Sequence, residues 1–252
     1  MAFKLTAADY VEYLEITAVE IEKSGDYVTA LDAKTGDGDH WVNLNSGFQK
    51  VMSIKEELKT MELSPMLRKI GMTLMSGIGG SSGVLYGSGY IAASKALKDV
   101  DVLDIESLYT MLKAELDAIM DRGKAQPGWK TMIDSLYEGL KNYKKAVDEG
   151  EDEKGVMEAL KLGAQQGRDH TKEMEAVKGR ASYQTNKGVG ELDPGAVTMC
   201  IQLECLSDYV INKAFKSITK GKNHEKVSFM SPEDIRVEEG TSTSTGTGRS
   251  CC

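Results

Sequence analysis

Apolar residues recur at helical spacing along most of the chain, and this periodicity constrains its fold more than any other feature. Val11, Leu14, Ala18 and Ile21 follow an i, i+3, i+7, i+10 pattern, which places them on one face of a helix. The clearest stripe spans residues 133–147. No stretch shows the alternation typical of a half-buried strand. The sequence therefore predicts an all-α domain of about eight helices.

Capping residues predict where individual helices begin. Thr6 can cap the first helix, with Asp9 in the position of a capping box. Ser64 and Pro65 match an N-cap followed by proline at the first helical position. Residues 24–26 break the first helix, and we expect a short non-helical segment to follow.

The composition changes near the C-terminus, and this change predicts the domain boundary. Beyond about residue 220 the chain becomes rich in Gly, Ser and Thr. Such a segment cannot bury a hydrophobic core. We therefore expect a helical domain over residues 1–220 and a disordered tail over residues 221–252.

Charge and hydropathy exclude several classes of function. The formal net charge is −8 and the sequence pI is near 5.1, which argues against nucleic acid or an anionic membrane surface as partner. The sequence contains no run of about 18 apolar residues, the length needed to span a bilayer. The N-terminus lacks the apolar core of a signal peptide. The four cysteines form neither a disulfide framework nor a CxxC metal site. These features predict a cytoplasmic protein.

The segment 31–40 reads Leu-Asp-Ala-Lys-Thr-Gly-Asp-Gly-Asp-His and places three carboxylates close together, Asp32, Asp37 and Asp39. Carboxylates this close raise one another's pKa unless a cation neutralises them. Mg²⁺ takes oxygen ligands of this kind, completed by waters and substrate phosphates. Two interpretations stay open on these ten residues: a metal–phosphate loop and a solvated acidic turn.

Three further loops could meet the acidic segment, because alternate loops of an antiparallel bundle lie at the same end. Residues 79–82 read Gly-Gly-Ser-Ser before a helix, a pattern that suits either a phosphate-binding helix start or a flexible turn. Residues 123–128 and 179–193 form the other two loops. Arg180 in the last loop is either a phosphate contact or a surface charge.

Five segments of the chain occur in an order that matches a known family: residues 31–40, 79–87, 130–134, 179–183 and 193–196. Together they resemble the nucleotide-binding (L) subunit of dihydroxyacetone kinases, over roughly residues 5–218. The resemblance implies an eight-helix antiparallel up-and-down barrel. It also implies ADP or ATP bound at one end of that barrel through two Mg²⁺ ions.

The resemblance assigns roles to individual residues. Asp32, Asp37 and Asp39 match the magnesium ligands, and no side chain is assigned as a catalytic base. Twelve residues match positions around the nucleotide: His40, Asn43, Gly79, Gly80, Ser81, Ser82, Gly123, Met132, Arg180, Asp193, Pro194 and Gly195. On spacing alone Met132 is a core residue. His40 either positions a phosphate or only hydrogen-bonds within its loop.

The chain departs from the family pattern at several positions. Trp41 replaces a small residue beside the acidic segment, Val84 replaces a proline, and Trp129 precedes the 130–134 segment. Residues 184–191 also differ from the usual sequence. These departures bear on the 179–193 loop, which in the family closes over the nucleotide, and on partner docking more than on the metal site.

The implied function is phosphoryl transfer from a magnesium-bound nucleotide to dihydroxyacetone held by a separate dihydroxyacetone-binding subunit. The phosphate would come either from ATP or from a phosphohistidine protein of the phosphotransferase system. Two alternatives remain: a paralogous kinase subunit for another small ketose or polyol, and a non-enzymatic regulator that senses nucleotide.

Overall fold

The structure is a computed structural model that describes residues 3–215. The predicted tail, residues 221–252, lies outside the described residues, as do residues 216–220 of the predicted domain. The described residues form helices and no strand, which confirms the all-α prediction. In chain order the helices are α1 (Ala7–Lys23), α2 (Gly25–Thr35), α3 (His40–Ser53), α4 (Lys55–Leu58), α5 (Leu63–Gly77), α6 (Gly80–Ala96), α7 (Ile105–Gly123), α8 (Met132–Asp148), α9 (Glu153–His170) and α10 (Pro194–Phe215), with a short 3-10 helix at Arg180–Tyr183.

Side-chain caps fix the beginning of several helices, because the first N–H groups of a helix have no partner within it. The Asp9 N–H donates to Thr6 Oγ1 at 3.3 Å, and the Thr6 N–H donates to the Asp9 carboxylate at 2.8 Å. This is the predicted capping box of α1. Asp104 and Thr131 cap α7 and α8 in the same way.

The predicted start of α5 at Ser64 and Pro65 is wrong by two residues. Glu62 lies at the N-cap and the helix begins at Leu63. Ser64 does not cap because its hydroxyl donates to the Ser94 carbonyl of α6 at 2.8 Å. Pro65 still lies in the first turn, where the missing N–H removes no helical hydrogen bond.

The long helices form a closed ring around the hydrophobic core. From α5 to α10 each helix packs against the next, α3 packs against both α1 and α5, and α10 packs against α1. Most neighbouring helices from α5 to α9 are joined by short connections, which makes them antiparallel. The core is built from apolar side chains of every long helix in the ring, so burial of these stripes stabilises the barrel.

Helix α2 was not predicted and is the main correction to the sequence analysis. Its buried face consists of Gly25, Val28, Leu31, Asp32 and Thr35. Two of these five are large apolar residues, so the hydrophobic pattern is too weak to indicate a helix. A second difference is a break at residue 54, which separates α4 from α3. The described residues therefore contain ten α-helices rather than about eight.

A polar cluster lies among the ring helices. Glu115 of α7 is 9% exposed, and its Oε1 atom has no hydrogen-bond partner among residues 3–215. The tyrosines Tyr10, Tyr13, Tyr86 and Tyr90, from α1 and α6, line the same small cavity. Burial raises the pKa of Glu115 to about 8, because an ionised carboxylate is costly in an apolar interior.

Among residues 3–215, no helix is both long enough and apolar enough to cross a lipid bilayer.

Candidate metal and phosphate site

Four helices, α3, α6, α8 and α10, begin at the same end of the ring. Contacts between their first turns establish this arrangement. His40 Nε2 lies 2.9 Å from Thr198 Oγ1, which joins α3 to α10. A Cβ built at Gly195 would lie 3.4 Å from the backbone nitrogen of Met132, which joins α10 to α8. Each helix N-terminus carries a partial positive charge that favours anions.

The three predicted metal ligands meet at this end. Asp32, in the last turn of α2, is buried, whereas Asp37 and Asp39 lie on the exposed connection to α3. One carboxylate oxygen from each residue lies within 4.8 Å of the others. An all-oxygen set of three negative charges fits a hard divalent cation such as Mg²⁺.

Backbone geometry holds the Asp32 carboxylate in place. The His40 N–H donates to Asp32 Oδ2 at 3.0 Å, so the first turn of α3 orients this ligand. A Cβ built at Gly36 would lie 2.4 Å from Asp32 Oδ1, so a larger residue would displace the carboxylate. Gly38 has φ of +77°, a conformation that favours glycine. Glycine is therefore needed at the two positions for different reasons: Gly36 leaves room for the Asp32 carboxylate, and Gly38 adopts a positive φ.

The His40 side chain is oriented by a hydrogen bond to α10. Its Nε2 pairs with Thr198 Oγ1, whose own hydroxyl donates to the Gly195 carbonyl at 3.2 Å. The network therefore assigns a proton to Nε2, which donates to Thr198 Oγ1. Burial lowers the pKa of His40, against the opposing influence of the nearby Asp32 and Asp39 charges.

The start of α6 presents free backbone donors. Gly79 occupies the N-cap and no side chain caps the helix, so the first N–H groups, including those of Ser81 and Ser82, lack a side-chain acceptor. A Cβ built at Gly79 would lie 2.5 Å from Asn43 Oδ1. The glycine therefore lets the Asn43 amide of α3 approach the helix start. This arrangement suits phosphate oxygens.

Two of the residues matched to nucleotide positions, Gly123 and Met132, lie at the α7–α8 side of the same end. Met132, the first residue of α8, is 6% exposed, in line with the core interpretation from spacing. Gly123 ends α7, and a Cβ built there would lie 3.2 Å from the Leu85 side chain of α6.

The segment 171–193 between α9 and α10, here called the closing loop, reaches the acidic residues. Arg180 Nη2 lies 2.5 Å from Asp37 Oδ2. At the other end of the loop, Asp193 Oδ2 accepts the Ala196 N–H at 2.7 Å and so caps α10 before Pro194. Burial raises the pKa of Asp193 to about 7.

Sequence reasoning missed two residues of this end, Thr198 and Lys130. Thr198 lies four residues after Pro194, one turn into α10. This spacing places Thr198 on the same helix face as the predicted residue Pro194, and it was the available signal in the sequence. Lys130 is 2% exposed, and the sequence gives little indication of a buried lysine because most lysines are exposed.

The chain matches a known protein family over most of its length. A family model described as "DAK2 domain" matches residues 34–208. The chain belongs to the DAK2 domain family. This DAK2 protein is 32% identical over 203 residues to the ADP-binding subunit DhaL of the PEP-dependent dihydroxyacetone kinase of Escherichia coli (strain K12), covering 81% of this chain and 97% of the relative. The family resemblance inferred from the five segments is therefore confirmed.

Two further comparisons agree with the assignment to the DAK2 family. The PTS-dependent DhaL subunit of Lactococcus lactis subsp. lactis (strain IL1403) is 34% identical over 206 residues, 82% of this chain and 99% of the relative. The dihydroxyacetone kinase from C. freundii in complex with AMP-PNP and Mg²⁺ superposes with a TM-score of 0.61 at 25% identity. That match covers 79% of this DAK2 chain but 33% of the kinase, so this chain spans about a third of the kinase's length.

Proposed function

We propose that this DAK2 protein is the ADP-binding subunit of a dihydroxyacetone kinase and passes a phosphoryl group to dihydroxyacetone bound on a separate subunit. The observation that carries the proposal is the trio of carboxylates within 4.8 Å of one another at the end where four helices begin. Relatives that this chain covers over 97% and 99% of their length are ADP-binding subunits of such kinases, and the C. freundii kinase is complexed with AMP-PNP and Mg²⁺. Both relationships support the assignment.

In this proposal the chain positions phosphates rather than forming a covalent bond to them. Asp32, Asp37 and Asp39 would hold two Mg²⁺ ions. Bound magnesium would neutralise the phosphate oxygens as phosphoryl transfer proceeds. The uncapped start of α6 and the Ser81 and Ser82 hydroxyls would bind phosphate oxygens directly.

The remaining residues would orient the nucleotide. His40 and Asn43, on the first turn of α3, would lie beside the phosphates, with Gly79 and Gly80 leaving room for them. Met132 and Gly123 would line the adenine. Arg180, together with residues 193–195, would close over the nucleotide, because the closing loop already brings Arg180 to Asp37. No side chain is needed as a general base in this scheme.

We further propose that bound ADP stays on the protein and is recharged by a phosphohistidine protein of the phosphotransferase system. The E. coli and L. lactis relatives are PEP-dependent and PTS-dependent kinases, which supports this source of phosphate over free ATP. It also supports a cytoplasmic location, where such donors act.

The test is a nucleotide assay on purified protein. After dialysis against magnesium-containing buffer, we expect stoichiometric ADP by chromatography of the denatured sample, and transfer to dihydroxyacetone once the donor and substrate subunits are added. ADP that exchanges rapidly with ATP would instead indicate a direct ATP-dependent kinase. Absence of any Mg-dependent nucleotide binding would contradict the proposal. Intact binding without transfer to any ketose would indicate a nucleotide-sensing regulator.

Replacing Arg180 by glutamine should change two affinities in opposite directions. Without nucleotide, Arg180 competes with a cation for Asp37, so the variant should bind Mg²⁺ more tightly, by up to about fivefold. With nucleotide, a charge-assisted contact to phosphate is lost, so Mg-ADP binding should weaken by roughly tenfold. Isothermal titration calorimetry measures both affinities.

The matched control for Arg180→Gln is Lys178→Gln, which removes the same charge from the same loop. Lys178 lies over the Trp129 ring, 5.9 Å from its centroid, and not at the aspartates. Its replacement should change both affinities little. If Arg180→Gln shifts both affinities in the same direction, the proposed role of Arg180 is wrong.

A further inference from the structure

Lys130 is a buried lysine with an unusual backbone conformation. It is 2% exposed and has φ of +60°, a region that side-chain-bearing residues rarely adopt. Neighbouring hydrogen bonds enforce this conformation. The Asp134 carboxylate accepts the N–H groups of Gly128 at 2.5 Å and Thr131 at 2.7 Å, which fixes the turn on both sides of Lys130.

The ammonium group of Lys130 joins the two ends of the closing loop. It donates hydrogen bonds to the carbonyl oxygens of Thr171 and Glu191, which lie at the beginning and near the end of segment 171–193. Burial lowers the pKa of Lys130, while the charges of Asp193, Glu191 and Asp134 oppose this shift. A charged donor to each carbonyl is worth more than a neutral one.

The closing loop also packs directly on the Lys130 side chain. A Cβ built at Gly188 would lie 3.1 Å from Lys130 Cε, 3.2 Å from Ala181 Cβ and 3.6 Å from Thr35 Cγ2. Ala181 is the neighbour of Arg180, and Thr35 immediately precedes the glycine beside the metal ligands. Lys130 therefore contacts the loop at the point where it approaches the candidate site.

We propose that Lys130 is a positioning residue that holds the closing loop over the bound nucleotide. The inference rests on the proposed function and deepens it, because it assigns nucleotide retention to a residue that lies under the loop. Without the ammonium, the partly buried Glu191 carbonyl would lose this donor, and the buried Thr171 carbonyl would keep the Met174 N–H at 3.2 Å as a donor. The closing loop would then be held only by its connections to α9 and α10 and by its remaining contacts, and it would open more often.

The first test compares Lys130→Met with Lys141→Met in the full-length protein. Lys141 lies on α8, pairs with Glu138 and is 60% exposed, so its replacement removes the same charge without touching the loop. In Lys130→Met we expect Mg-ADP to dissociate at least about tenfold faster. The Mg²⁺ affinity without nucleotide should be unchanged or higher, whereas a collapsed site would lower it.

Hydrogen exchange on the nucleotide-free protein tests the loop directly. In Lys130→Met, amides of residues 171–193 should exchange faster while α1 and α5 keep the exchange rates of the parent. Faster exchange throughout the protein would show a general loss of stability and overturn the proposal, as would an unchanged loop. This readout needs no nucleotide, so it separates failure of this inference from failure of the proposed function.

A second pair of variants tests the contact between the closing loop and Lys130 by changing the loop instead of the lysine. Gly188→Ala and Gly190→Ala both place alanine at positive φ, +72° and +96°, but a Cβ at Gly190 meets nothing within 4 Å. A positive φ is therefore common to both variants, whereas only Gly188→Ala crowds the contact between Lys130 and Ala181 of the closing loop. We expect ADP release to be about fivefold faster or more in Gly188→Ala than in Gly190→Ala. Equal rates would overturn the proposal.

Discussion

Replacing Asp37 by asparagine should weaken Mg-ADP binding by at least about 100-fold, since even the loss of a residue that only hydrogen-bonds to a metal ligand costs about 10–100-fold. The substitution removes one of three negative charges that lie within 4.8 Å of one another. A neutral amide oxygen is a poorer ligand for Mg²⁺ than a carboxylate. Metal and nucleotide binding should weaken together, because the phosphates are anchored through the metal. Calorimetric titration with ADP at fixed Mg²⁺ measures the loss.

The control for this substitution is Asp26→Asn, near the start of the helix that precedes Asp37. Asp26 is exposed in the first turn of α2, and its loss changes the net charge by the same amount. Asp26→Asn should bind Mg-ADP as the parent does. An Asp37→Asn protein that also binds Mg-ADP normally would remove Asp37 from the metal site and would leave its contact with Arg180 as a surface ion pair.

The parts of the fold that the sequence predicted depend on local physics. Helix caps such as Thr6 with Asp9 act between residues three apart, and long apolar stripes such as residues 133–147 report burial on one face. Helix α2 escaped prediction because its burial depends on contacts formed only in the folded protein. There Val28 and Leu31 pack with Val197 of α10, which no local pattern reveals.

The candidate site divides in the same way. The acidic segment could be predicted because its three carboxylates are close in sequence. The glycine-rich start of α6 could be predicted because residues 79–82 are also consecutive. The pairing of His40 with Thr198 and the bridging of two carbonyls by Lys130 join residues that are distant in sequence. Such contacts form only when the ring of helices closes, and no local pattern in the sequence indicates which distant residues will meet.

Glu115 provides the second large effect, and it concerns stability rather than binding. The carboxyl group lies among four tyrosines of α1 and α6, with one oxygen unpaired. Burial raises its pKa from 4.5 to about 8. The folded protein therefore binds this proton more tightly than the unfolded chain does, so stability falls as the pH rises from about 4.5 towards 8. The tyrosines beside it stay neutral over this range, because burial raises their pKa values.

Replacing Glu115 by glutamine should remove this pH dependence, since the amide does not ionise. The free energy of unfolding of Glu115→Gln, relative to the parent, should increase by roughly 3 kcal/mol between pH 5 and pH 7.5. Taking this difference between two pH values cancels any constant packing change caused by the amide. Urea denaturation at each pH measures it, and Asp117→Asn on the same helix is the control, because its exposed ion pair with Lys113 contributes little. A difference that stays constant with pH would mean that Glu115 is not buried as a neutral acid.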